Sequence, residues 1–258
     1  MAAHSSPRSL MPREHGAYGQ LALPLLTALF SGRPTAAAFL YAAAAVFAFF
    51  AHEPLLVLLG QRGSRAFREL GARARLRLTL LAVGTLLCAG LALMLSSQTA
   101  RLASVAPLGG ALALSLLIFR KEERTDWGEI VAAFALSAAG LPVAVAGGVP
   151  VRLALCAWGI FSLGFGLVTL SLRRAIYGQK QTLRCTRAPV AIPLLSLSGC
   201  WLVTQTSAAV AVAAAPVVGM ACTLLIFPPS PKQLHRIGWL LVLSTMATGL
   251  LLVRAAHG

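Results

Sequence analysis

The sequence predicts an all-α, polytopic membrane protein with nine transmembrane helices. Three observations carry that expectation. Of 258 residues, 58% are hydrophobic and 11% charged, against roughly 25% charged in a soluble domain. Apolar runs of about 20 residues, enough for a hydrocarbon core of roughly 30 Å, recur along the chain. The loops between them are alternately rich and poor in Lys and Arg, as the positive-inside rule requires.

Taken in order, the spans fall at about 17–32, 35–60, 75–97, 102–119, 127–149, 152–172, 188–205, 207–228 and 236–254. Ahead of the first lies a polar segment, 1–16, without the short apolar core and small-residue cleavage site of a secretory signal. The second span contains Pro54 and breaks into arginines after Gly60. The third and fourth flank Arg101, and the fourth stops at Arg120. The fifth opens after an acidic turn and is interrupted by Gly140-Leu141-Pro142. The sixth runs to Arg173. The seventh is the weakest as a simple run, because Pro189, Pro193 and Gly199 divide it. The eighth and ninth enclose a short loop with Lys232.

Loop charge tests this count. With the N-terminus in the cytoplasm, the cytoplasmic segments hold two, six, three, five and two Lys or Arg, and the opposite segments one, one, one, none and one. All seven acidic residues fall on the cytoplasmic side as well. One span more or fewer would scramble this order, so the C-terminus is expected outside. There is also an internal offset. Gly16 and Asp126 open corresponding spans, and Arg62 and Arg173 open corresponding loops, each pair about 110 residues apart. Four helices per unit would make a parallel repeat about an axis along the membrane normal. The expectation is one domain over 17–258, with pseudo-repeats at about 17–120 and 127–228 and an extra helix at 236–254.

The formal charge of +15 would suggest nucleic acid in a soluble protein. Here the cations sit in short loops between apolar runs, without the interleaved aromatics that stack bases, so no nucleic-acid partner is expected. Cys88, Cys156, Cys200 and Cys222 lie in apolar spans and Cys185 in a basic loop. None has metal-ligand spacing, and an odd count argues against a disulfide framework.

Polar residues gather at five places, each open to a functional and a topological reading. Arg13, Glu14 and His15 enter the first span, where Glu14 also suits a helix N-terminus. His52-Glu53-Pro54 lies in the second span, with Glu53 about 10 Å inside the cytoplasmic end at 1.5 Å per residue. An unpaired acid at mid-bilayer costs roughly 2.5–3.5 kcal/mol, and Pro54 frees the carbonyl of Phe50. The result is either a polar notch with His52 or Glu53 as acid or base, or a kinked helix whose Glu53 pairs with a loop arginine. Arg62, Arg65 and Arg68 would form a basic stripe on a helix, fitted to phosphate or simply to topology. Arg120-Lys121-Glu122-Glu123-Arg124-Thr125-Asp126 balances its signs, and Thr125 or Asp126 can cap the next helix. Arg173, Arg174, Tyr177 and Lys180 follow the sixth span with no acid nearby, leaving an external anion or a phospholipid headgroup as partner.

Two segments, PREHGAYGQLALPLL at 12–26 and EPLLVLLGQRGSRAFRE at 53–69, resemble the YwiC-like family of bacterial membrane proteins, and the similarity covers most of the chain. That resemblance implies a bacterial cytoplasmic membrane. The layout is also similar to the UbiA superfamily of intramembrane prenyltransferases, which have nine helices and polar motifs after helices two and six. IFRKEERTDWGEIVAAFALSAAGLPVAVAGG resembles its Lys-Arg-Thr segment and Gly-rich helix, and IYGQKQT its Gly-x-Lys-Ser-Thr stretch. A UbiA-like four-plus-four bundle with one extra helix is what this implies. Such enzymes hold an isoprenoid diphosphate through magnesium on two Asp-rich motifs, because hard cations want carboxylate oxygen. The first motif would fall at His52 to Gly60, where Glu53 is the only acid and Leu56 and Gly60 replace the next two. The second would fall around Leu170 to Arg174, which has none, and Asp126 is the only aspartate in the chain.

The expected function is therefore a basic cytoplasmic pocket binding a membrane lipid or isoprenoid through an anionic headgroup, without metal or other cofactor. Its candidate residues are Arg13, His15, Arg62, Arg65, Lys121, Arg124, Arg173, Arg174, Tyr177 and Lys180. Two alternatives stay open: a divergent prenyltransferase-like enzyme using His52 or Glu53, and a small-molecule transporter whose helices break at Pro54, Gly140-Leu141-Pro142 and Pro193. No acid or histidine lies near the middle of a span, where a proton-coupled carrier usually needs one. Nothing in the pattern specifies an oligomeric state.

Overall fold

A computed structural model describes residues 10–11, 15–33, 35–123, 125–177, 207–227 and 233–258 of the chain. These residues are helical with short turns. The helices are α1 (His15–Ser31), α2 (Ala36–Leu58), α3 (Ser64–Leu95), α4 (Gln98–Ala103), α5 (Val105–Phe119), α6 (Asp126–Ala138), α7 (Gly140–Ala146), α8 (Val151–Tyr177), α9 (Ala208–Ile226) and α10 (Leu234–His257). Among the described residues, six stretches are long and apolar enough to cross a bilayer: Ala36–Leu58, Ser64–Leu95, Gln98–Phe119, Asp126–Ala146, Val151–Leu172 and Arg236–His257. The chain is thus built as a multi-pass membrane protein. α1 is shorter, α9 carries a shorter apolar helix over Ala208–Leu224, and the expected seventh span at 188–205 lies outside the described residues.

Boundaries differ from the hydropathy reading where charge masked the helix. α3 begins at Ser64, not near 75, and its 32 residues extend about 48 Å at 1.5 Å per residue. That is well beyond a core of roughly 30 Å. Arginine is a good helix former, so the basic stretch continues the helix past the apolar part. Two spans are jointed: Ser104 separates α4 from α5, and Ala139 separates α6 from α7. The second joint falls at the Gly140-Leu141-Pro142 interruption, where Pro142 cannot donate to the carbonyl four residues back.

α1 and the α6–α7 rod occupy the centre. α1 packs on α6, α7, α8 and α10, while α2 lies between α7 and α3. Around the other side α5, α6, α8, α9 and α10 follow one another. One core cluster joins Leu21, Leu25, Ala38, Tyr41, Leu141 and Val143, and another Phe161, Phe165, Ala213, Val217 and Leu252. The Tyr41 hydroxyl and the Ser96 Oγ are hydrogen-bonded at 2.9 Å, joining α2 to the far end of α3. Leu80, Leu86, Leu87, Leu91 and Met94 of α3 are exposed. In lipid that face has a matching solvent and needs no protein cover.

Candidate functional site

The polar residues that the fold brings together lie where α2 and α5 end. α2 closes with a left-handed turn. Gly60 has φ 72°, its N–H donates to the Val57 carbonyl at 3.1 Å, and the Gln61 N–H donates to Leu56 at 3.0 Å. This is the usual glycine-terminated helix end. α5 ends with the same pair of bonds, Lys121 N–H to Ile118 at 3.0 Å and Glu122 N–H to Leu117 at 2.8 Å. Here, however, the left-handed position is a lysine, at φ 59°. A side chain there crowds the backbone, at a cost of roughly 1–2 kcal/mol. The Gln61 Nε2–H donates to the Ile118 carbonyl at 2.7 Å and fastens the two ends together.

The turn after α2 also settles the position of Glu53. Gly63 N–H donates back to Gly60 at 3.0 Å, and Arg62 returns beneath the helix end. Its Nη2 meets the Glu53 Oε2 at 2.6 Å. Glu53 is 2% exposed, so the two form a nearly buried pair nine residues apart in sequence. The Arg62 Nε is buried with no acceptor. On the other side, the His52 Nε2 and Glu123 Oε2 are 3.5 Å apart. Glu123 belongs to the turn before α6, where the Thr125 Oγ1 accepts from the Gly128 N–H at 3.1 Å and caps the helix. Of the two cap candidates, Thr125 fills the role.

Between these ends lies an open pocket of about 350 Å³ lined by Leu59, Gly60, Gln61, Arg62, Lys121 and Glu123. Among the expected site residues, Arg62 and Lys121 line it, with His52 and Glu53 directly behind. Arg65 does not: it sits on the exposed side of α3, paired with Glu69 at 2.6 Å. Arg173, Arg174 and Tyr177 lie in the last turns of α8, near the level where Leu170 packs with Ile130; their side chains lie outside the described residues. His15 begins α1, and its side chain is likewise outside them, as are Arg13, Arg124 and Lys180 altogether. Sequence reasoning missed Gln61 and Glu123 as lining residues. Its one available signal was that both follow a helix end by two to four residues.

A magnesium pair of the kind the prenyltransferase resemblance implies does not fit this donor set. Glu53 is held by Arg62, and among the described residues no three His, Cys, Asp or Glu side chains come together.

A family model for YwiC-like protein matches residues 11–146, slightly over half of the 258-residue chain. The matched part runs from the entry of α1 to the end of α7 and includes every residue lining the pocket. No curated protein and no solved structure gives a significant match. By the extent of that match, the chain belongs to the YwiC-like family.

Proposed function

We propose that this protein is a nine-helix lipid-binding membrane protein that holds a phosphate-bearing headgroup, without metal, in the pocket between the ends of α2 and α5. The nine-span topology and the cytoplasmic placement of this end rest on the alternating loop charge. One observation carries the binding reading: Lys121 stands in a left-handed conformation at the pocket wall. Strained backbone of this kind concentrates at functional sites. The N–H groups of Gly60, Gln61, Lys121 and Glu122 are already spent on helix carbonyls, and the two cationic side chains on the wall are the donors suited to an anion. Lys121 offers an exposed ammonium, and Arg62 a guanidinium whose side chain is 17% exposed on the pocket wall. Glu53, buried and clamped by Arg62, supports binding over acid–base catalysis.

Lys121→Gly separates function from fold. Glycine relieves the left-handed strain, so thermal unfolding in detergent should show a gain of about 1 kcal/mol. Phospholipid copurifying with the variant should meanwhile fall about tenfold by mass spectrometry, the equivalent of one lost charge-assisted contact. Lys121→Glu should remove it further. If both variants retain lipid as the parent does, the headgroup reading fails.

A transport reading has one observation in its favour. The α6–α7 joint borders a small cavity of about 20 Å³ lined in part by Pro24, Thr27, Ser31, Ser137 and Gly140, and broken helices often border substrate paths. Flux of a solute into proteoliposomes, absent in protein-free vesicles, would establish it.

A further inference from the structure

The basic stretch of α3 belongs neither to the pocket nor to the core, and its charge has no match within the chain. We propose that the first part of α3, residues 64–77, is a docking surface for anionic phospholipid headgroups, separate from the pocket between α2 and α5. The helix divides by composition. Residues 78–95 carry no charge and extend about 27 Å at 1.5 Å per residue, close to a hydrocarbon core of roughly 30 Å. The remainder therefore emerges at the level of the headgroups. It holds Arg65, Arg68, Arg73, Arg75 and Arg77 against a single acid, Glu69.

One side of this segment is occupied: Ala66, Gly71 and Ala74 are buried, and α2 packs along the helix. Arg65, Arg68 and Arg75 share the opposite face, with Arg73 beside it, and all four are exposed. The chain cannot neutralise them. Of its seven acidic residues, Glu53 meets Arg62 and Glu69 meets Arg65, and four more fall within 122–129. Among the described residues, Arg68, Arg73 and Arg75 enter none of the ion pairs. Glu14 is the only acid outside the described residues, so the undescribed segments can offset one arginine at most. The rest of the balancing charge must come from another molecule.

Two features select a membrane surface over a soluble polyanion. Phe67 and Leu76 are exposed among the arginines. Against a nucleic acid or an acidic protein they would stay in water. At a bilayer surface they enter the acyl boundary while the guanidinium groups reach the phosphates. The same helix also runs on through exposed Leu80, Leu86 and Leu87, so the phosphates of its own leaflet stand beside the stripe.

The test uses the full-length protein in nanodiscs of equal phosphatidylglycerol and phosphatidylcholine, with retained lipids identified and counted by native mass spectrometry. The parent should retain phosphatidylglycerol preferentially, and the preference should shrink in about 1 M salt, where the Debye length is ~3 Å. Arg68→Gln, Arg73→Gln and Arg75→Gln together keep good helix formers in place. They should reduce the preference by about fivefold for each arginine removed, the usual effect of one surface cation. Lysines at the same three positions should preserve it, because a surface potential counts charge and not fork geometry. Lys121→Glu should remove a single lipid, that of the pocket, and leave the preference among the others, so the two sites fail separately. The proposal is overturned if the parent shows no preference, if the glutamine variant keeps it, or if the lysine variant loses it. Capture of RNA that excess phosphatidylglycerol vesicles do not displace would overturn it as well.

Discussion

Replacing Arg62 with leucine is expected to destabilise the protein by about 3–5 kcal/mol, the loss typical when one partner of a buried ion pair is removed. Glu53 is 2% exposed and its carboxylate meets Arg62 at 2.6 Å. Without the guanidinium it must either stay charged in an apolar setting or take up a proton. The cost belongs to the stranded acid, not to the lost attraction. Removing both groups should therefore recover most of it, since hydrophobic replacement of a buried pair is often neutral or stabilising. Glu53→Leu combined with Arg62→Leu should unfold within about 1 kcal/mol of the parent, giving a coupling energy of at least about 2 kcal/mol. The double variant also isolates function, because it folds yet lacks one of the two pocket cations, and its lipid retention should fall. Thermal unfolding of the four proteins in one detergent measures the cycle. A loss below 1 kcal/mol for Arg62→Leu would mean that the pair is not formed in the membrane.

The same residues show how far the sequence could be read. Glu53 in an apolar span announces that a cation must be near, but not which one. The partner depends on the turn at Gly60, which returns the chain by nine residues instead of letting the helix continue. Apolar runs located the six described spans because burial in lipid leaves a direct compositional trace. They misplaced the start of α3 because a helix leaving the membrane becomes basic without ceasing to be a helix. Gly140-Leu141-Pro142 marked the joint between α6 and α7 correctly, since missing donors and glycine freedom are local properties. The pocket was only half legible. Its basic side could be guessed from Arg62 and Lys121, yet the contact from Gln61 to Ile118 spans 57 positions and has no local signature. Lys121 occupies a place where glycine would have signalled the turn, so the feature that distinguishes the site hid it.

Gly128→Ala offers the second large effect, and its sign opposes helix propensity. In an open helix, alanine gains up to about 1 kcal/mol over glycine. At Gly128 the turn that carries Glu122 and Glu123 folds directly over the first turn of α6. An added Cβ would sit 2.5 Å from the Glu122 carbonyl oxygen and closer still to that of Glu123. Both obstacles are backbone, so no side-chain rotation relieves them, and the Thr125 cap at 3.1 Å holds the turn in place. Overpacking of this kind costs typically 1–3 kcal/mol, enough to outweigh the propensity gain. The strain escapes most readily by lifting the turn, which carries Glu123 away from Gln61 and Arg62 and opens the pocket. Gly128→Ala should therefore lower the unfolding temperature and cut lipid retention together. Gly90 in α3 supplies the control, because its added Cβ meets nothing within 4 Å. There the same substitution should raise stability by up to about 1 kcal/mol and leave retention unchanged. Should both variants shift in the same direction, the packing of the turn over Gly128 is wrong, and the pocket wall built on it falls with it.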